Sequence, residues 1–204
     1  MTLVPAPGYN GVVTQAPASA EAFERQVPPL LFGTVLFLAS ELLFFGGLFA
    51  AYFSLRSQTS PWPPPGVELE LLFPTIATAL LITSSFTLQA GVAAAARGRL
   101  GGLRAWTVVT LALGSTFLGL QLWDYAHLGF EVSSHAYGTL FYAMTGAHGL
   151  HVAAGLALML VLLGRASQGA YREGRVDGPH AIGLYWHFVD VVWIALFTTL
   201  YVLR

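Results

Sequence analysis

Residues 30–55 read LLFGTVLFLASELLFFGGLFAAYFSL. A helix needs about 20 mostly apolar residues to cross the hydrocarbon of a bilayer. This run is long enough and carries one formal charge before Arg56, the carboxylate Glu41. Four further runs of the same kind follow, at about 72–96, 104–126, 138–164 and 181–203. Short connections rich in Pro or Gly separate several of them, as in PWPPPG at 61–66, GRLGG at 98–102 and GRVDGP at 174–179. The expectation is an all-α, polytopic membrane protein, a bundle of five transmembrane helices over residues 30–204.

Composition agrees with that reading. Of 204 residues, 55% are apolar and 9% are charged, where soluble domains are near a quarter charged. Mean hydropathy is +0.66 over the whole length, so apolarity is not confined to one anchor. Cysteine is absent, which removes disulfides, thiolate metal sites and cysteine nucleophiles. All nine basic residues are arginine, which removes Schiff-base and lysine-base chemistry. No basic patch points to nucleic acid, and no nucleotide, haem or hydrolase motif stands out. Ser84 and Ser85 have no base near them in sequence. Residues 1–29 lack the charged and apolar regions of a signal peptide and read as a mobile tail ending in a surface segment.

The arginines orient the chain. Arg25, Arg97, Arg99, Arg104, Arg165, Arg172 and Arg175 fall on one side, and Arg56 and Arg204 on the other. The positive-inside rule then puts the N-terminus in the cytoplasm and the C-terminus outside. An aromatic belt is expected with Trp106 and Trp186 at the inner ends and Trp123, Tyr125 and Tyr201 at the outer ends. The small and hydroxyl residues of the second run (Thr83, Ser84, Ser85, Thr87, Gly91, Ala95) predict close packing and hydrogen bonds between helices, and Gly46, Gly47 and Ala50 predict the same for the first.

Polar groups within the oil are the functional candidates. Glu41 lies about 11 residues into its helix, roughly 17 Å deep at the helical rise per residue. An ionised carboxylate there costs at least ~2.5–3.5 kcal/mol on insertion scales, so the neutral acid is the default state. It reads either as a proton-linked or regulatory carboxyl or as a structural hydrogen-bonding group. In TGAHGLHVAAG, residues 145–155, His148 and His151 are three apart and share a face. They sit about 24 and 20 Å from the inner surface, which allows an acid–imidazole contact between His151 and Glu41. His187 and Asp190 repeat the three-residue spacing on the fifth helix, where Trp186, Asp190, Trp193 and Phe197 form one stripe. An indole N–H, a histidine or a hydroxyl on another helix is the expected partner of Asp190. Three readings stay open for these residues: a metal site, a proton-conducting pair, or an interhelical polar network of His148, His151, His187, Asp190 and Trp186. A three-histidine, one-carboxylate set suits zinc or non-haem iron, but six histidines in all and the glycines around His148 favour the network.

Together, SELLFFGGLFAAYF in the first helix, WPPPG in the outer loop, QLWDYAHL closing the third, YGTLFYAMTGAHGLHVAAG in the fourth and YWHFVDVVWIALFTTLYVLR in the fifth resemble subunit III of the haem–copper cytochrome oxidases. The resemblance covers about residues 28–204, in order, and is closest to the short five-helix bacterial form associated with cytochrome c oxidases of the aa3 type. It implies an accessory subunit in the bacterial plasma membrane, packed beside oxidase subunit I and with subunit II as a further partner. No cofactor or metal is then expected in this chain; haem and copper belong to the partner subunits. Bound phospholipid is expected, as are support of proton uptake and protection against inactivation during turnover. Glu41 matches the family's carbodiimide-reactive intramembrane glutamate. The chain departs from the family at Ala147, where Phe is frequent, at Asp124, where Glu is, and at His180, where longer members carry Glu. The alternatives are subunit III of a quinol oxidase, a proton-coupled transporter using Glu41 and Asp190, and a membrane metalloenzyme.

Overall fold

The structure is a computed structural model that describes residues 28–171 and 176–203. Five helices account for most of it: α1 Pro29–Gln58, α2 Leu72–Ala96, α3 Leu100–His127, α4 Ala136–Ser167 and α5 Asp177–Phe197. A π-helical turn, Thr198–Val202, continues α5. All five are long and apolar enough to cross a membrane. The expected tail lies, except for residues 28 and 29, outside the described residues, as do Arg25, Arg172, Arg175 and Arg204.

Helix ends follow local chemistry. Pro29 opens α1, where its missing N–H is no loss. His135 caps α4, its Nδ1 accepting from the Gly138 N–H at 2.8 Å. The α2–α3 turn is closed by Gly98 in the left-handed region (φ 69°). Its N–H donates to Ala95 O at 2.8 Å and the Arg99 N–H to Ala94 O at 2.9 Å, the paired bonds of a Schellman motif. Two helices start earlier than the apolar runs suggest. α3 begins at Leu100, and α5 at Asp177 with Pro179 in its first turn. First-turn positions tolerate Gly, Arg and Pro, because those N–H groups have no intrahelical partner.

In the bundle, α5 packs on α1, α2 and α4, while α2 pairs most extensively with α3. α1 packs chiefly on α4 and α5 and buries only Leu38, Phe45 and Tyr52 along its length. Trp186 on α5 is fully buried. A Cβ added at Gly155 would lie 2.7 Å from its ring, and one at Gly114 2.9 Å away. Both glycines therefore make room for one indole, whose Nε1 donates to Ser84 Oγ at 2.9 Å. Four helices thus converge on one side chain.

Several expectations change. Trp186 and Tyr201 are buried and belong to no interfacial belt, whereas Trp106 and Trp123 are exposed. Tyr201 points inward because its hydroxyl donates to Asp124 Oδ2 at 3.1 Å. Tyr125 is held by Thr145 Oγ1 at 2.6 Å. Gly46 and Gly47 are not at a close helix contact among the described residues, where a Cβ at either meets nothing within 4 Å. The π-turn and Leu203 just after it present carbonyls that side chains collect. Tyr52 donates to Thr199 O at 3.4 Å, Tyr137 to Leu200 O at 3.1 Å and Arg56 to Leu203 O at 2.6 Å.

Gly155→Ala should lower stability by about 1–3 kcal/mol, the usual cost of overpacking, and Gly47→Ala, with open space for the methyl, should not lower it. Thermal unfolding of the two variants in detergent measures the contrast; equal melting temperatures would remove Trp186 as the packing centre.

Candidate functional site

Glu41, Asp190 and the three intramembrane histidines fall into three separate places. In the first, α1 brings Glu41 to α4. Glu41 Oε2 lies 2.9 Å from His151 Nε2, with both side chains 19% exposed. His151 Nδ1 lies 2.7 Å from Ala147 O. A carbonyl only accepts, so Nδ1 carries a hydrogen. In the neutral imidazole Nε2 is then an acceptor, and Glu41 must be protonated to donate to it. The other arrangement is imidazolium facing carboxylate. Either way one proton occupies the Glu41–His151 contact and can sit on oxygen or on nitrogen. Phe44 and Phe45 flank the ring, with centroids 6.3 and 5.1 Å away. Tyr185 donates to His151 O at 2.9 Å and ties α5 to this turn.

The second place joins α2 to α5. Ser85 donates its hydroxyl to Asp190 Oδ2, and its oxygen lies 2.7 Å from His187 Nδ1. The hydroxyl proton goes to Asp190, so His187 Nδ1 is the donor to Ser85. Sequence spacing offered Ser85 no base; the fold brings it a carboxylate acceptor from 105 residues away and an imidazole donor from 102. The order is not that of a hydrolytic relay, because the serine stands between the acid and the imidazole and gives its proton to the carboxylate. One turn away on either side, Trp186 donates to Ser84 and Trp193 to Thr78 Oγ1 at 2.8 Å. The α5 stripe is therefore a ladder of hydrogen bonds to hydroxyls of α2. Asp190 is 6% exposed, and its Oδ1 has no hydrogen-bond partner among the described residues.

The third place holds His148 alone. It is fully buried, stacked on Trp193 at 5.0 Å and edge-on to Phe117 at 5.8 Å. Neither ring nitrogen has a hydrogen-bond partner among the described residues. The expected hydrogen bond across the bundle is thus made by His151 and not by His148, whose neighbours are aromatic rings. The glycines around it do mark close contacts. A Cβ at Gly149 would lie 3.1 Å from Gln121 Oε1, and Gln121 Nε2 donates to Thr145 O at 2.7 Å. Among the described residues, no three His, Asp or Glu side chains come together as metal ligands.

Some of these groups are anonymous in the sequence. Gln121, Thr78 and Thr110 (2.8 Å from Thr87) are single polar residues in apolar runs. Their only signal is an unmatched hydrogen-bonding group in hydrocarbon.

A family model described as cytochrome c oxidase subunit III matches residues 12–204. The chain belongs to the cytochrome c oxidase subunit III family. It is similar to the probable cytochrome c oxidase subunit 3 of Mycobacterium tuberculosis, with 47% identity over 176 residues, 84% of this chain and 87% of that protein. The cytochrome c oxidase subunit 3 of Thermostichus vulcanus is 46% identical over 172 residues, 84% of this chain and 86% of that one. That of Synechocystis sp. is 43% identical over 192 residues, 93% and 82% respectively. The five apolar spans and the cytochrome c oxidase subunit III match make this a multi-pass membrane protein and an accessory subunit of a haem–copper oxidase.

Ser85→Ala removes the donor to Asp190 and the acceptor for His187 together. It should destabilise the bundle by about 1–3 kcal/mol, the cost of leaving buried polar groups unmatched. Asp190→Ala should impair assembly of the oxidase for the same reason. The yield of intact complex and its thermal stability measure both; wild-type values would exclude the Ser85 bridge as a structural bond.

Proposed function

We propose that this chain supports proton uptake and sustained turnover of an oxidase that reduces oxygen to water while pumping protons, and that Glu41 with His151 is its proton-linked element. The carrying observation is the Glu41–His151 contact, in which the Ala147 carbonyl fixes the imidazole so that one proton is shared with the acid. Both side chains remain partly exposed on the α1–α4 face, where an adjoining subunit can reach them. The other polar sites read as structural: His187, partly exposed, joins buried Asp190 and Trp186 in fastening α5 to α2, and buried His148 fills an aromatic slot.

The chain itself is read as non-redox, with haem and copper in the partner subunits. Subunit I is the main contact and subunit II a further partner, in the bacterial plasma membrane. The basic end of the bundle, with Arg97, Arg99, Arg104 and Arg165, then faces the cytoplasm. α1, which buries so little of itself in the chain, offers an apolar face to subunit I and to lipid. A groove of about 830 Å³ between α1, α4 and α5 runs from Arg165 to Phe37, Ala154 and Tyr185, one turn from Glu41 and His151. Its apolar walls and arginine mouth suit a phospholipid.

Glu41→Gln tests the reading. The glutamine amide can still donate to His151 Nε2, so the complex should assemble with normal haem content. It cannot release a proton, so turnover should decay faster and proton uptake should fall. Oxygen consumption over many turnovers and stopped-flow proton uptake of the purified complex measure this. Unchanged kinetics in an assembled variant would show that Glu41 is structural, and loss of assembly would show the same.

A further inference from the structure

We propose that the α2–α3 hairpin carries a second lipid site, a groove that binds the phosphate of an anionic phospholipid in the leaflet on the arginine side of the bundle. It rests on the membrane reading but not on the role of Glu41. It also lies away from the α1–α4–α5 groove, on helices against which α1 packs little.

The groove has a volume of about 380 Å³ and is lined by Ala90, Ala94, Arg97, Arg99, Gly102 and Trp106, together with Ala93. On α2 the positions 90, 93, 94 and 97 are spaced i, i+3, i+4 and i+7, so they form one helical face. On α3, Gly102 and Trp106 are one turn apart and share the facing side. A Cβ at Gly102 would lie 2.9 Å from Ala94 Cβ, so the helices are in close contact there and the small side chains leave the space beside that contact open. The Schellman turn at Gly98 sets Arg97 and Arg99 on either side of one residue at the mouth.

The charge at that mouth is unbalanced. Arg97 and Arg99 are exposed, and neither is paired with a carboxylate among the described residues, where the one acid–base pair is Glu41–His151. Two guanidinium groups at one mouth, beside the start of α3 and with no carboxylate against them among the described residues, make an anion site. Its position decides the anion. From Arg97 to Ala90 the groove descends seven residues, about 10 Å into the membrane. That carries it from the headgroup layer into the first acyl methylenes. Trp106, 42% exposed, is a side chain suited to that boundary. A free phosphate would use the mouth and leave the alanine floor bare. A phospholipid places its phosphodiester on the arginines and its glycerol and upper chain on the alanines. Basic pockets between helices on the cytoplasmic side bind anionic headgroups for this reason.

The test uses the intact oxidase complex in vesicles that contain a photoactivatable phosphatidylglycerol or a phosphatidylcholine of the same chain length. Labelled peptides are then mapped by mass spectrometry. Labelling within residues 90–106 should favour phosphatidylglycerol roughly thirtyfold, as expected for about two arginines near the surface. In the Arg97→Gln, Arg99→Gln double variant it should fall to the phosphatidylcholine level, while labelling near Arg165 stays. The Arg97→Lys, Arg99→Lys pair should keep most of it. Equal labelling by both lipids in the wild-type complex overturns the proposal, and that comparison needs no variant to fold. So does labelling that inorganic phosphate abolishes irrespective of lipid headgroup, because the site would then take the free ion.

Discussion

The fold depends on one indole. Trp186 occupies space that Gly114 on α3 and Gly155 on α4 leave for it, and its N–H reaches Ser84 on α2. In lipid, helices gain nothing from hiding apolar surface from water. They associate through close packing, a few hydrogen bonds and the entropy of the lipid. A large, rigid side chain seated against two glycines gives the packing contact, and the indole–hydroxyl bond fixes its orientation. Once Trp186 is seated, Asp190 and Trp193 follow one and two turns along the same face of α5 and meet Ser85 and Thr78. The polar ladder between α2 and α5 is thus in register because its first rung is.

That arrangement separates two kinds of intramembrane polar group. Along α2 and α5, hydrogen-bonding groups face one another inside the bundle and serve to hold it. On the α1–α4 face, Glu41 and His151 face each other at the rim and stay partly exposed. The kind of partner distinguishes them: the α2–α5 groups bond to fixed hydroxyls, whereas the outer pair shares a proton that has two places to sit. His148 shows a third outcome. An imidazole three residues from His151 faces aromatic rings and makes no hydrogen bond among the described residues, so a shared helical face did not give a shared role.

Five apolar runs, an even spread of hydropathy and the absence of cysteine made the all-helical membrane bundle legible from residues alone, and the signature stretches of the first, fourth and fifth helices pointed to the family. Depth counting brought Glu41 and His151 to the same level. The belt residues were harder to read, because a Trp or Tyr near a helix end looks the same whether it faces lipid or a glycine across the bundle. Trp186 and Tyr201 turn inward because Ser84 and Asp124 are there to accept from them. Gly46 and Gly47 resemble packing glycines but meet no neighbour among the described residues, since small residues permit close approach without requiring it.

By itself the sequence determined which segments are helical and apolar enough to span a membrane, because those properties belong to consecutive residues and to the hydrocarbon they must match. Tertiary structure alone decided which polar groups pair. Ser85 meets His187 and Asp190 across more than a hundred residues, and His151 takes Glu41 while His148 takes Trp193. Those choices depend on the rotation of each helix about its own axis, which is set by how the side chains of all five helices fit together and is written in no single segment.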